Sequence, residues 1–229
     1  MSIHHLSALL SWQGPPVRNL IGRLAALSRI GHGVLAGAML LLASSLSATA
    51  NAAETPRDVI AALQGALLSV WEQADDLSAE QRYEKLEPAL EQAFDFERMI
   101  EVATGPAWAR ATPAEQAQLK QAFTRYSVAT YASRFSEYTG QRFDIVDQRT
   151  GPRNLTLVDT IIVRPAGESV PITYVVSTEA NPPRIVDVIH KGVSEMAVRR
   201  SDYRSIVTRL GPQVLAQRLE QQAEDLLKE

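Results

Sequence analysis

Asp187, His190 and Ser194 stand close together and are the residue types of a hydrolytic triad, in which an acid orients a histidine that takes a proton from a serine. Their spacing argues against that chemistry. Side chains alternate along a strand, so Asp187 and His190, three residues apart, point to opposite faces if they share one. The run Gly192-Val193-Ser194-Glu195-Met196 also lacks the second glycine of the G-x-S-x-G elbow that exposes a nucleophilic serine. His190 is expected on the surface or at a strand end, and the catalytic set is expected to be empty. Metal chemistry fares no better. Cysteine is absent, and the adjacent acids Asp75-Asp76 and Glu224-Asp225 lie outside any glycine-containing loop, so neither a zinc nor a calcium site is expected. No G-x-G-x-x-G or P-loop occurs, and no cofactor of any kind is expected.

Two other groups of residues are distinctive. Phe123, Tyr126, Tyr131, Phe135 and Tyr138 make one helical stretch the most aromatic part of the chain, and such a surface suits either a packed core or an apolar pocket. Arg199, Arg200, Arg204 and Arg209 form a basic patch in an otherwise acidic protein. Solvated or paired with Asp202 they are ordinary surface; otherwise they offer a docking surface for a partner or a lipid head group, because guanidinium groups take phosphate in a bidentate manner.

The elements that position these residues follow from periodicity and capping. Thr55-Pro56 opens a helix on which Val59, Leu63, Ala66, Leu67, Val70 and Trp71 repeat at helical spacing. Ser78 and Gln81 form a capping box for a second helix carrying Tyr83, Leu86 and Leu90. Thr112-Pro113 with Glu115 starts the long aromatic helix, for which Gly140 is the expected stop. From Gln141 the period becomes two. Four strands are expected, around Phe143 and Ile145, Leu155 to Val163, Val170 to Val176, and Ile185 to Ile189. The short breaks at Gly151-Pro152, Pro165-Ala166-Gly167 and Asn181-Pro182-Pro183 leave no room for crossover helices, so the sheet should be antiparallel with one covered face. Ser201 is the expected cap of a final helical segment interrupted at Gly211-Pro212. The fold class is α+β, with helices wrapped on a twisted four-stranded antiparallel sheet. Helices before and after so few strands make two helical layers that cover the sheet imperfectly and leave an apolar pocket.

Residues 1–52 read as a cleaved signal peptide. Arg18, Arg23 and Arg29 are the only charged residues before Glu54, and they precede the apolar run from Val34 to Ala43 and the small-residue site Ala50-Asn51-Ala52. The run breaks into serines well short of the roughly 20 residues a bilayer span needs. Losing three arginines and no acid takes the formal charge from −3 to −6, which disfavours nucleic acid and tight adsorption to an anionic membrane. Residues 53–229 are expected to form a single domain in the periplasm.

Phe94-Asp95-Phe96 with Met99, Gly105, Trp108 and Ala111-Thr112-Pro113 with Glu115 resembles the helical signature of the MlaC or toluene-tolerance family of periplasmic phospholipid-binding proteins. Tyr131-Ala132-Ser133-Arg134-Phe135 with Tyr138 and Gly140 is similar to that family's long helix, and Ile185-Val186-Asp187-Val188 with Gly192-Val193-Ser194 to its last strand and turn. Two departures stand out: Pro183-Arg184 where the family has tryptophan, and Val198-Arg199-Arg200-Ser201-Asp202-Tyr203 where it reads Asn-Tyr-Arg. The run from Ser194 to Ser201 is more similar to the hopanoid-associated branch, HpnM.

The resemblance implies a carrier, not an enzyme, that holds phospholipid or hopanoid hydrocarbon between helices and sheet. It also implies a shuttle between an inner-membrane lipid transporter and an outer-membrane lipoprotein or porin complex, through transient contacts. The pocket is expected beside Phe123, Tyr131, Phe135, Val163, Tyr174, Val176 and Val188, and partner or head-group docking at Arg199, Arg200 and Arg204. The alternatives are an enzyme for a small apolar substrate using a buried acid such as Asp159 or Asp187, and a scaffold module without ligand.

Overall fold

The structure is a computed structural model that describes residues 54–228, and the expected signal peptide lies outside them. Helix α1, Pro56–Trp71, starts on a reciprocal capping box in which the Asp58 amide donates to the Thr55 hydroxyl and the Thr55 amide to the Asp58 carboxylate. Such a box satisfies amides that the first turn leaves without partners. Its apolar stripe, Val59, Leu63, Leu67, Val70 and Trp71, is buried as expected. A 3-10 turn at Ala74–Asp76 leads to α2, Ala79–Ala93, which the Ser78 and Gln81 box begins. Two shorter helices follow, α3 at Phe96–Thr104 and α4 at Pro106–Arg110.

The long helix α5 runs Pro113–Arg134 from the Thr112 and Glu115 box. It stops earlier than the expected Gly140. Tertiary contacts draw the chain out of the helix there: Phe135 meets Trp71 edge-on at 4.6 Å, and the Trp71 indole N–H donates to the Glu137 carbonyl at 2.6 Å. The buried Arg82 holds the last turn by donating to the Ala132 carbonyl, and it also binds the Leu77 carbonyl.

Strands β1 (Arg142–Thr150), β2 (Leu155–Val163), β3 (Val170–Ser177) and β4 (Arg184–His190) are joined by β5, Val193–Ser194, in a sheet ordered as in sequence. Every neighbouring pair is antiparallel. The fifth strand, beyond the four expected, arises because Lys191 and Gly192 both adopt positive φ and fold the chain straight back on β4. A bulge between Ile145 and Asp147 interrupts β1, the free edge.

Helix α6, Glu195–Leu210, begins six residues before the expected Ser201 cap. Ser194 caps it, its hydroxyl accepting from the Ala197 amide at 2.9 Å. Gly211 then separates it from α7, Pro212–Leu227. The long helix lies along α7 and α2, while α1 crosses β1, β2 and β3, and α2, α3 and α6 reach β4. One sheet face is therefore covered: Thr156, Val158 and Thr160 of β2 are buried, while Leu155, Leu157, Asp159, Ile161 and Val163 stay half-buried on the other. Arg184 ties the sheet to the helices by donating to the Glu91 and Phe94 carbonyls at the end of α2, and the Asp95 amide donates to the Ile185 carbonyl.

Candidate functional site

The inner face of the sheet and the rings packed over it make one continuous apolar layer. From Phe123 the rings run through Phe96 at 6.0 Å, Phe94 at a further 5.4 Å, Tyr131 at 5.8 Å and Phe135 at 6.0 Å, and end on Trp71 and Phe143. Edge-on and offset contacts at these separations suit the ring quadrupoles and add attraction beyond area burial. On the strands, Tyr174 pairs with Val158 and Val188, and Val176 lies on the same face. Burial pushes the Tyr131 phenol up to about 12, and burial, with Tyr131 close by, holds Tyr174 well above its ordinary value. Both phenols are neutral at any physiological pH.

Six of the seven expected pocket residues meet here: Phe123, Phe135, Tyr174 and Val176 in the core, with Tyr131 and Val188 packed against it. Val163 does not. It lies five residues from Val158 on an unbroken strand, so alternation turns it to the outer face opposite Arg142. Trp71, Phe94, Phe96 and Phe143 belong to the layer and were not among the expected lining. The Phe94-x-Phe96 spacing was a visible signal, but nothing in the sequence tells that β4 and the start of α3 bring those two rings over the sheet.

The rings of the layer stand against one another, with centroids 4.6 to 6.3 Å apart. A cleft of about 230 Å³ lies between α1 and α2 beside Val59, Leu63 and Ala93, and one of about 310 Å³ lies between α6 and α7 beside Tyr203, Ile206 and Arg209. Neither is lined by any of the six. Admitting a ligand between the helices and the sheet requires the rings to separate.

The basic patch divides. Arg199 turns inward, with 16% of its side chain exposed; its guanidinium lies over the Phe123 and Tyr126 rings at 5.5 and 5.1 Å and donates to the Tyr203 hydroxyl at 2.9 Å. Burial pulls its pKa down, but Tyr203, Tyr126 and Glu195 outweigh that and keep it charged. Arg204 is exposed and lies flat on the α3–α4 turn, where its guanidinium fills the space a side chain at Gly105 would need. Arg200 is half-buried, and its Nε has no hydrogen-bond partner among the described residues. The three do not form one flat surface.

Arg199 also belongs to a polar rim that the sequence did not disclose. Burial lowers the His190 pKa, Lys191 and Arg134 lower it further, and Glu195 opposes them; Tyr131 in turn feels Arg134, Glu195 and Arg199. These charges come from the end of α5, the β4–β5 turn and the start of α6.

The acids considered for catalysis have structural roles. Asp187 accepts from the Ser194 hydroxyl at 2.5 Å and from the Val188 and Met196 amides, which fixes the start of α6. His190 closes β4 and takes no part in that contact. Asp159, on the outer face, pairs with Arg149 and accepts from the Thr173 hydroxyl. Among the described residues there is no cluster of three or more His, Asp or Glu able to hold a metal, and no helix long and apolar enough to cross a membrane. The arrangement can enclose hydrocarbon beneath a charged rim.

A family model described as MlaC protein matches residues 62–221. A solved structure of a phospholipid-binding protein from Ralstonia solanacearum, in complex with a phospholipid, is similar to this chain with a TM-score of 0.64 at 19% sequence identity. That similarity covers 76% of this chain and 98% of the other. No curated protein matches this chain.

Proposed function

The chain belongs to the MlaC family, and from that premise we propose that its mature form is a periplasmic carrier that binds phospholipid or hopanoid hydrocarbon and moves it between the inner and outer membranes. The observation that carries this reading is the coincidence of the family match with a ring-lined layer running from Phe123 to Trp71 over Tyr174 and Val176. The phospholipid held by the Ralstonia protein on a similar fold supports the ligand class. Transfer of hydrocarbon from water gains roughly 0.8 kcal/mol per methylene, so a sixteen-carbon chain amounts to about 12 kcal/mol. A carrier must therefore enclose the chain fully, and its partners must help to open it. In this reading the rings over the sheet part to admit hydrocarbon.

Phe123, Tyr131, Phe135, Tyr174, Val176 and Val188 line the ligand in this reading. The outer side of α6, with the exposed Arg204 and the half-buried Arg200, serves an inner-membrane transporter or an outer-membrane complex. The test is to express the full chain, recover it from the periplasm, sequence its N-terminus and extract it with organic solvent for lipid mass spectrometry. A start near Ala53 and stoichiometric lipid are expected. Retention of residues 20–40 overturns the export reading, and ligand-free protein from a lipid-replete cell overturns the carrier reading.

A further inference from the structure

We propose, on the footing of the carrier reading, that the side-chain amide of Gln64 donates a hydrogen bond to an acceptor oxygen of the bound lipid. It would select among hydrocarbons by the oxygen they carry.

Gln64 stands on α1 and is 6% exposed, and its Nε2 has no hydrogen-bond partner among the described residues. Arg82, Thr104, Thr130 and Thr160, buried like it, each donate to a backbone carbonyl. A buried amide left unpaired loses its hydration without return, whereas methionine fills much the same volume and leaves no donor behind. A local rule broken at a loss in stability marks a functional position.

The helix fixes where the amide points. Seven residues are nearly two turns, so Arg57, Gln64 and Trp71 follow one stripe that drifts by about 20° per step. Arg57 reaches β1 by donating to the Ile145 carbonyl at 3.4 Å, and Trp71 packs in the ring layer, 4.6 Å from Phe135 and 6.0 Å from Phe143. Gln64, midway between them, therefore faces the sheet on the β1 side of α1. It also lies at the border of the buried stripe: Ile60 and Leu67 are wholly buried, while Ala61 and Gly65 are exposed. Such a border suits the first oxygen of an otherwise apolar ligand. An ester carbonyl or a hydroxyl arriving there meets a donor already stripped of water, with no competing bond to break.

The test offers delipidated protein two pairs of lipids in detergent micelles and reads the bound species by mass spectrometry. One pair is dioleoylphosphatidylglycerol and its dioleyl ether analogue; the other is the hopanol diplopterol and diploptene, which lacks the hydroxyl. The wild type should prefer the better acceptor in one pair by about threefold or more, and that pair names the source of the oxygen. Gln64→Met should hold a similar total of lipid with the preference reduced toward one. It should also raise the urea midpoint of the delipidated protein by about 0.3–0.5 M. If Gln64→Met does not fold, the wild type decides: its Gln64 side-chain amide protons should move downfield by NMR with the preferred lipid and not with its counterpart. A wild type without preference in either pair, a variant that keeps the preference, or a lowered midpoint overturns the assignment and leaves the carrier reading standing. Failure of the wild type to bind any of the four lipids overturns the carrier reading itself.

Discussion

The two faces of the sheet carry similar apolar residues in the same strands and have different fates. On the inner face Val158 and Val176 are wholly buried and Tyr174 is 2% exposed, beneath rings contributed by α1, α3 and α5. On the outer face Leu155, Leu157, Ile161 and Val163 remain half-buried, and a polar bridge from Arg149 through Asp159 to Thr173 crosses between them. The difference comes from what lies above each face, since composition alone does not separate them. Strand alternation distributes the side chains, and the helices decide which set becomes interior.

The comparison can be broken most directly at Phe123, which is fully buried and touches Phe96 and Tyr203. Phe123→Ala should lower stability by about 3–5 kcal/mol in chemical denaturation, while Val163→Ala on the outer face should cost less than about 1.5 kcal/mol. Equal losses would mean that the two faces are equally structural. A smaller effect sharpens the same contrast. Val176→Trp adds a ring to a layer with no room for it and should cost the delipidated protein about 1–3 kcal/mol. It should also lower the lipid recovered on purification, whereas Val163→Trp should change neither quantity. If Val163→Trp removes the lipid instead, the hydrocarbon lies on the outer face.

Smaller again is the contribution of the polar residues at the sheet's end. Ser194→Ala removes the α6 cap and should cost about 1 kcal/mol by denaturation, with the lipid preference unchanged. The least perturbing probe is a proton. His190 should titrate below the ordinary histidine range by NMR, because burial and then Lys191 and Arg134 disfavour its charged form. A depressed histidine in the folded state means that its share of stability is intact above the unfolded value near 6.5 and falls as pH drops through that value toward the folded one. Arg134→Gln should move the titration upward.

Much of the fold was legible because it is written locally. Thr55, Ser78 and Thr112 each start a helix as their residue types and spacing require, and the change of period at Gln141 marks the sheet. The misplaced ends have tertiary causes. Phe135 leaves α5 to meet Trp71, and Ser194 rather than Ser201 starts α6 because Asp187, seven residues earlier, holds its hydroxyl. The ring layer was half legible. Helical periodicity disclosed Phe123, Tyr131 and Phe135, but Trp71, Phe94 and Phe143 reach it from three distant segments. Val163 illustrates the limit of composition, since a strand valine reads the same whichever face it is on. The inward turn of Arg199 was not legible either, because adjacent arginines on a helix point about 100° apart and only the packing decides which of them is buried.

The bulge in β1 has a consequence for how the protein behaves at high concentration. A sheet edge offers unpaired amides and carbonyls to any extended chain that passes, and such an edge invites templated polymerisation. Here an arriving strand meets a two-against-one step between Ile145 and Asp147, and Val146 there is 60% exposed. Beyond the step it would have to bury Arg142, Asp144, Asp147 and Arg149, whose signs do not alternate in a pattern that a copy of the same strand could match in register. The opposite edge is two residues long and runs directly into a helix. A sheet with both borders shut in this way offers little template to a second copy of itself.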